Sequence, residues 1–259
     1  MVKGLDTAYT GMINEQHRMD TMANNLANSA TVGFKKEGAT QQSFDSLLAY
    51  KLKDNSEASG LPRRIGVNTP GVRIGENFTD YGQGSFQETG NTFDLALSGS
   101  GFFAIEYTTP EGETATKYTR AGSFTLNVEG YLVTKDGNYV LDKNNQRIKI
   151  DPLKDTSIDA TGNIAQDGVN LAQIQVADFE DYNYLEKYGD TMYQPVEGAQ
   201  LTTATASVNS GYLEMSNVNV VTEMVNMIAI TRAYESNQKI LQTYDGSLEI
   251  ATTQLGRLR

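Results

Sequence analysis

Two apolar stripes with a seven-residue period occupy opposite ends of this chain, and all five prolines lie between them. Leu5, Met12, Met19 and Leu26 recur every seventh residue near the start, with Ala8, Tyr9, Ala23 and Ala27 beside them. Val220, Met227, Tyr234, Leu241, Leu248 and Leu255 repeat in the same way near the end. A proline inside a helix costs about 3 kcal/mol, so Pro62, Pro70, Pro110, Pro152 and Pro195 restrict long helices to the two termini. A seven-residue repeat held this long favours packing along another helix over burial in a globular core. The companion positions Met224, Thr231, Gln238, Asp245 and Thr252 are mostly polar, and Gly246 weakens the last helix, so the C-terminal stripe needs partners.

Local signals set the helix limits. Asn219 is the expected N-cap of the second helix, with Glu223 in its first turn where the helix dipole favours a negative charge. The first helix is expected to stop within residues 24–34, where Asn24, Asn25, Asn28, Ser29 and Thr31 compete for backbone hydrogen bonds and Gly33 accepts positive φ.

The chain has 259 residues and a formal net charge of −11. Both ends are nearly neutral, and residues 46–214 carry the acid. Phosphate neutralisation needs clustered Lys and Arg, so no nucleic-acid partner is expected. Cysteine is absent and histidine occurs once, which removes thiolate chemistry and His-rich metal sites. The single His17 lies off the first stripe and reads as a solvated helix residue. The N-terminus lacks an apolar signal core, and no run of about 20 apolar residues occurs. Neither a cleaved signal peptide nor a membrane insertion is therefore expected.

Residues 76–205 read as antiparallel β structure, with short runs rich in Phe, Tyr, Val and Ile broken by turn pairs. Asp136-Gly137 between Tyr131–Thr134 and Tyr139–Leu141 is a hairpin signal. No helical segment there is long enough for βαβ crossovers. The expected class is α+β, with N- and C-terminal helices pairing as a coiled-coil-like core around an all-β middle. The expected division is residues 1–34 as helix and turn, 35–75 as an extended connection, 76–205 as the β domain and 206–259 as the second helix.

Nothing along the chain spells a catalytic, cofactor or metal site. Gly99-x-Gly101 runs into Phe102-Phe103-Ala104-Ile105, a strand rather than the helix of a dinucleotide fold, and reads as a turn. Asp142-Lys143-Asn144-Asn145 lacks the alternating oxygens of a calcium loop. Asp178, Glu180 and Asp181 beside Tyr182 and Tyr184 resemble the carboxylates of a glycosidase, yet adjacent positions do not face each other across a cleft, and a solvated acidic edge is the plainer reading.

The segment Asn24-Asn25-Leu26-Ala27-Asn28-Ser29-Ala30-Thr31-Val32-Gly33-Phe34-Lys35 closely resembles the signature of flagellar rod and hook axial proteins. The resemblance continues through Thr79–Gly84, Asn91–Phe103, Tyr118–Phe124 and Gly211–Val221, covering nearly the whole chain. Glu223–Ile228 with Arg232–Glu235, and the length, look most like the distal rod branch of that family, with its proximal paralogues as the alternative. The resemblance implies a non-enzymatic subunit without cofactors, exported through the flagellar type III apparatus to the extracytoplasmic basal body. It would polymerise helically with itself, contact other rod proteins, the hook protein and surrounding rings, and transmit torque. It further implies that Leu5, Met12, Met19 and Leu26 pack near the axis against Val220, Met227, Tyr234, Leu241, Leu248 and Leu255, while Asn24, Asn25, Asn28, Thr31, Gly33 and Phe34 shape the turn. Two other classes compete: a secreted carbohydrate-binding or carbohydrate-active β protein, and a lone surface adhesin or scaffold. Both leave the paired stripes unexplained.

Overall fold

The computed structural model describes residues 2–51, 63–109 and 112–256. These form two compact units, each assembled from separated stretches of chain. The first takes residues 1–26, 37–80 and 220–259, and the second residues 27–36 and 81–219.

In the first unit, α1 (Val2–Ala27) and α2 (Val220–Gly256) occupy the proline-free ends. They run antiparallel. Gly4 lies beneath the Tyr244 ring, Gly11 lies against the Asn237 side chain, and Thr231 Oγ1 reaches Met19 Sδ at 3.9 Å. α2 starts directly after Asn219, carries Glu223 in its first turn and continues through Gly246 without a break.

The helical phase differs from the sequence expectation. Leu5, Met12, Met19 and Leu26 are half-buried, as are Met227, Tyr234 and Leu241, but Val220 and Leu248 are exposed. The covered companions on α2 are Glu223, Ile230, Asn237 and Tyr244, one residue earlier than Met224, Thr231, Gln238 and Asp245. With 3.6 residues per turn, positions three and four beyond a stripe flank it on opposite sides. Apolarity favours the side of Met224, whereas the close approach to α1 uses the other. The Leu255 side chain lies outside the described residues.

The expected extended connection over 35–75 also takes a different form. Glu37–Ser43 pairs with Val72–Thr79, and Leu47–Lys51 pairs with Arg63–Asn68, so the two halves make one antiparallel ribbon. Its polar Thr, Gln and Ser lack apolar alternation because the ribbon draws support from α1 instead. Gly71 sits on Thr10, and Gln41 Nε2 donates to Glu15 Oε1 at 3.3 Å. Residues 52–62 of the expected connection lie outside the described residues.

The second unit is built on a nine-stranded antiparallel sheet. Its main path runs Leu185–Tyr188, Met192–Pro195, Thr114–Thr119, Phe102–Thr108, Tyr139–Val140, Leu132–Thr134, Phe124–Leu126. Val176–Phe179 also pairs with Phe102–Thr108 and carries Leu201–Thr203 on its far side. The hairpin about Asp136-Gly137 forms, with Val133 opposite Tyr139. A separate three-stranded sheet holds Thr156–Ile158, Asn163–Gln166 and Val169–Gln173. The run Phe102-Phe103-Ala104-Ile105 is apolar throughout because both faces of its strand are covered. Phe103 and Ile105 enter one core cluster with Leu95, Leu97, Phe124 and Ile174, while Phe102 and Ala104 enter another with Tyr118, Phe179 and Tyr193.

Residues 207–214, placed with the second helix on sequence grounds, are strands of this unit. Ser207–Ser210 pairs with Leu95–Ser98, and Tyr212–Glu214 pairs with Phe86–Glu88. The run is short and its apolar positions few, so periodicity could not separate it from the adjacent helix.

Two glycines predict opposite responses to an added methyl group. Gly246 is helical with open space where a Cβ would point, so Gly246→Ala is expected to stabilise α2 by about 0.5–1 kcal/mol. Gly33 has φ of 71° and packs on the Arg120-Ala121 backbone, so Gly33→Ala is expected to destabilise the second unit by more than about 1 kcal/mol. Thermal melts followed by circular dichroism check both signs.

Candidate assembly site: the signature turn, its ion cluster and the helix faces

The signature segment works through side chains that imitate backbone. Asn25 is buried; its Nδ2 donates to the Glu37 carbonyl at 2.7 Å and its Oδ1 accepts from the Glu37 N–H at 2.9 Å. One side chain therefore fixes where the chain leaves α1 and where the ribbon begins. Thr31 Oγ1 donates to Asn28 Oδ1 at 3.0 Å, and the Thr31 N–H donates to the Asn28 carbonyl at 3.2 Å, closing the turn. Asn24 is exposed. Gly33 donates its N–H to the Glu214 carbonyl at 2.8 Å, and Phe34 is fully buried with the Lys187 ammonium 4.2 Å above its ring.

Beyond the turn lies a cluster of buried charges drawn from three distant segments of the chain. The Lys35 and Glu214 side chains are 1% and 0% exposed, and Lys35 Nζ donates to Glu214 Oε1 at 2.6 Å. Arg120 Nη1 donates to Glu214 Oε2 at 3.2 Å from a side chain also buried. Most of the remaining valences meet backbone, the Arg120 Nε excepted. Lys35 Nζ donates to the Gly82 carbonyl at 2.8 Å, Arg120 Nη2 to the Gly99 carbonyl at 2.7 Å, and Gly84 N–H to Glu214 Oε1 at 3.0 Å. The Arg120 guanidinium also lies over the Phe102 ring at 5.4 Å. Four of the segments carrying the family resemblance thus meet at one carboxylate, and the fifth, through the Gly99 carbonyl, holds Arg120. A partial sequence signal exists: Arg120 and Glu214 are single charges set among small, polar and apolar neighbours, whereas Lys35 sits in the charged run Lys35-Lys36-Glu37. Nothing local says which of them pair.

The helix pair distributes polarity in reverse. Its covered positions include Gly4, Gly11, Asn14, Asn25, Glu223 and Asn237. Both amide atoms of Asn14 are buried without a hydrogen bond. Meanwhile Tyr9, Val221, Met224, Val225, Ile228, Ile240 and Ile250 are exposed. An apolar groove of about 400 Å³ runs between Leu26, Met224, Met227, Ile228 and Thr231, with Arg232 and Glu235 at its rim. Among the described residues no helix is long and apolar enough to cross a membrane.

The acidic cluster of the second unit is tied to its own turn. Tyr182 Oη donates to Asp178 Oδ1 at 2.7 Å, and Asp181 accepts from the Asn183 N–H at 2.9 Å to cap the turn Tyr182–Tyr184. Burial, then the hydrogen bond to Asp178, pushes the Tyr182 hydroxyl pKa up. The Asp178 and Asp181 carboxylates hold local structure rather than face each other across a cleft. His17 is exposed on α1.

The ion cluster predicts an order of stabilities. Glu214→Gln leaves two buried cations around a neutral amide, and breaking a buried ion pair by removing one partner costs about 3–5 kcal/mol. Lys35→Met leaves Arg120 and Glu214 matched one to one. Urea midpoints followed by tyrosine fluorescence are expected to fall further for Glu214→Gln than for Lys35→Met.

Comparison with known proteins places this architecture. Residues 5–35 match the family described as flagella basal body rod protein. Residues 96–166 match the flagellar hook protein FlgE/F/G D1 domain, and residues 209–255 the flagellar basal body rod FlgEFG protein C-terminal family. The flagellar basal-body rod protein FlgG of Bacillus subtilis is 34% identical over 96% of this chain and 97% of its own length. The FlgG protein of Agrobacterium fabrum is 33% identical over 98% of this chain and all of its own length. The rod protein FlgF of Caulobacter vibrioides is 33% identical over 96% of both chains. From its signature turn to its last helix, the chain belongs to the family of flagellar basal-body rod and hook proteins and resembles most the members named FlgG.

Proposed function

We infer that this chain, a structural subunit of the flagellar basal-body rod, polymerises helically with copies of itself through the outward faces of α1 and α2. The observation that carries the reading is the apolar surface left outward: Val221, Met224, Val225 and Ile228 are exposed although Ala8 and Ile230 of the same helices are buried. These four recur at i, i+3, i+4 and i+7, the spacing of one helix face. Covering the exposed half of each is worth about 1 kcal/mol per side chain. A polymer repeats that gain at every subunit, and mass action then stabilises the assembled helices. Leu5, Met12, Met19 and Leu26, with Met227, Tyr234 and Leu241, would pack towards the axis, and the pair would complete a coiled-coil-like core only in the assembly. Asn14, unsatisfied in the single chain, fits a contact completed by a neighbour.

The product of such assembly is a shaft, and its task is transmission of motor torque to the hook. Its neighbours along the axis are other rod proteins and the hook protein, with ring proteins around it. Its place is the extracytoplasmic basal body, reached through the flagellar export apparatus. It works without catalysis or a cofactor. The segments Glu223–Ile228 and Arg232–Glu235 favour the distal rod. A proximal position is the second reading, favoured by the equal likeness to a FlgF protein.

Deleting the gene is expected to give non-motile cells whose rods stop before the hook, restored by a plasmid copy. The length of the rod stub in envelope images separates distal from proximal. Motile cells with complete hooks would sink the rod reading. Met224→Lys with Ile228→Lys is expected to abolish complementation while the purified chain keeps its β-unit melt.

A further inference from the structure

We propose that Glu214 is the closing residue of the second unit's fold, and that the unit stays open until the segment around it joins. The two cations of the buried cluster come early in the chain, at Lys35 and Arg120, and the carboxylate that holds both comes late, 45 residues from the end. The nine-stranded sheet has all its strands by Thr203, yet the cluster does not. A sheet closed without Glu214 sets Lys35 and Arg120 near each other without the carboxylate that both bond in the finished unit, which disfavours that state. Arg120 has nowhere else to turn: its Nη2 is already used by the Gly99 carbonyl, and its Nε is buried without a hydrogen-bond partner.

The same late segment brings more than a charge. Val208 enters the core cluster beside Leu95 and Leu97. The Glu214 carbonyl receives the Gly33 N–H, and the Met215 N–H reaches the Ser85 carbonyl at 2.8 Å. Early and late chain therefore lock together at one point, making the fold all-or-none in chain length. The consequence for assembly rests on the rod reading: a subunit that remains open until the segment around Glu214 is present stays threadable until then.

Pulsed amide hydrogen exchange during refolding of the full chain from urea tests this. The Ala104, Leu132 and Leu141 amides report the sheet, and those of Gly33, Val208 and Met215 report the closing segment. Both sets are expected to gain protection together, within about twofold in rate, because neither is stable alone. Sheet amides protected about tenfold or more ahead of Met215 would overturn the proposal. The charge-free variant Lys35→Met/Arg120→Met/Glu214→Gln is expected to uncouple the two sets, with the sheet protected at least about tenfold sooner. Synchronous protection in that variant would equally overturn it, since charge would then not be the cause. If the variant fails to fold, the wild-type order decides alone. A motile deletion strain would remove the rod reading and leave this refolding result untouched.

Discussion

One carboxylate, Glu214, stands between two cations in a space closed to solvent, and most of the second unit is arranged to keep it there. Taking three charges out of water costs more than a single pair returns, so the cluster is tolerable only with most of its remaining valences met, and all but the Arg120 Nε find a partner nearby. That requirement sets the backbone. The loop at Gly82–Gly84 turns one carbonyl and one N–H inward, the loop at Gly99 turns a carbonyl inward, and Tyr212–Glu214 must pair with Phe86–Glu88 in the register that delivers the side chain. A slip of one residue would send the Glu214 side chain to the opposite face of its ribbon. The cluster therefore acts less as a source of stability than as a test that the strands have paired correctly.

The two units answer the hydrophobic effect in opposite ways. The second hides Phe102, Phe103, Phe124 and Tyr193 almost completely and pairs its buried Glu214 with two cations. The first leaves Val221, Val225 and Ile228 in solvent and buries an unpaired Asn14. A unit of the second kind is finished as a single chain. One of the first kind is marginal alone, because narrow-stripe helices gain most of their stability from packing. A self-contained body joined to an incomplete helix pair is what a subunit needs if its helices are to be completed by neighbours.

What could be read from the sequence follows from which constraints are local. Proline exclusion and heptad spacing placed both helices, and the turn pair Asp136-Gly137 placed its hairpin, because each signal acts within a few residues. The face of α2 covered within the single chain is less legible, since Met224 is the better apolar companion of Val220, while the close approach of Gly4 and Gly11 covers Asn237 and Tyr244 beside Glu223 and Ile230. Small residues that let a neighbour close in leave no apolar mark. The ribbon over 37–79 escaped for a similar reason: its strands rest on α1 through Gly71 and Gln41 rather than through alternating apolar side chains. The ion cluster joins residues 35, 120 and 214, and separations of that size leave no periodicity to detect.

The distribution of charge completes the reasoning. The acid sits between residues 46 and 214, while both helical ends are close to neutral. Like charges repel across distances up to roughly 10 Å at ordinary salt, so β units of neighbouring copies resist merging into each other's sheets, and their exposed edges are protected by the same means. Near-neutral helices meet no such barrier. Association is thereby steered to the helix faces, where Val221, Met224, Val225 and Ile228 offer apolar contact, and away from the sheet edges, where contact would be indiscriminate. On the proposed reading, the excess of acid selects which surface of the subunit polymerises.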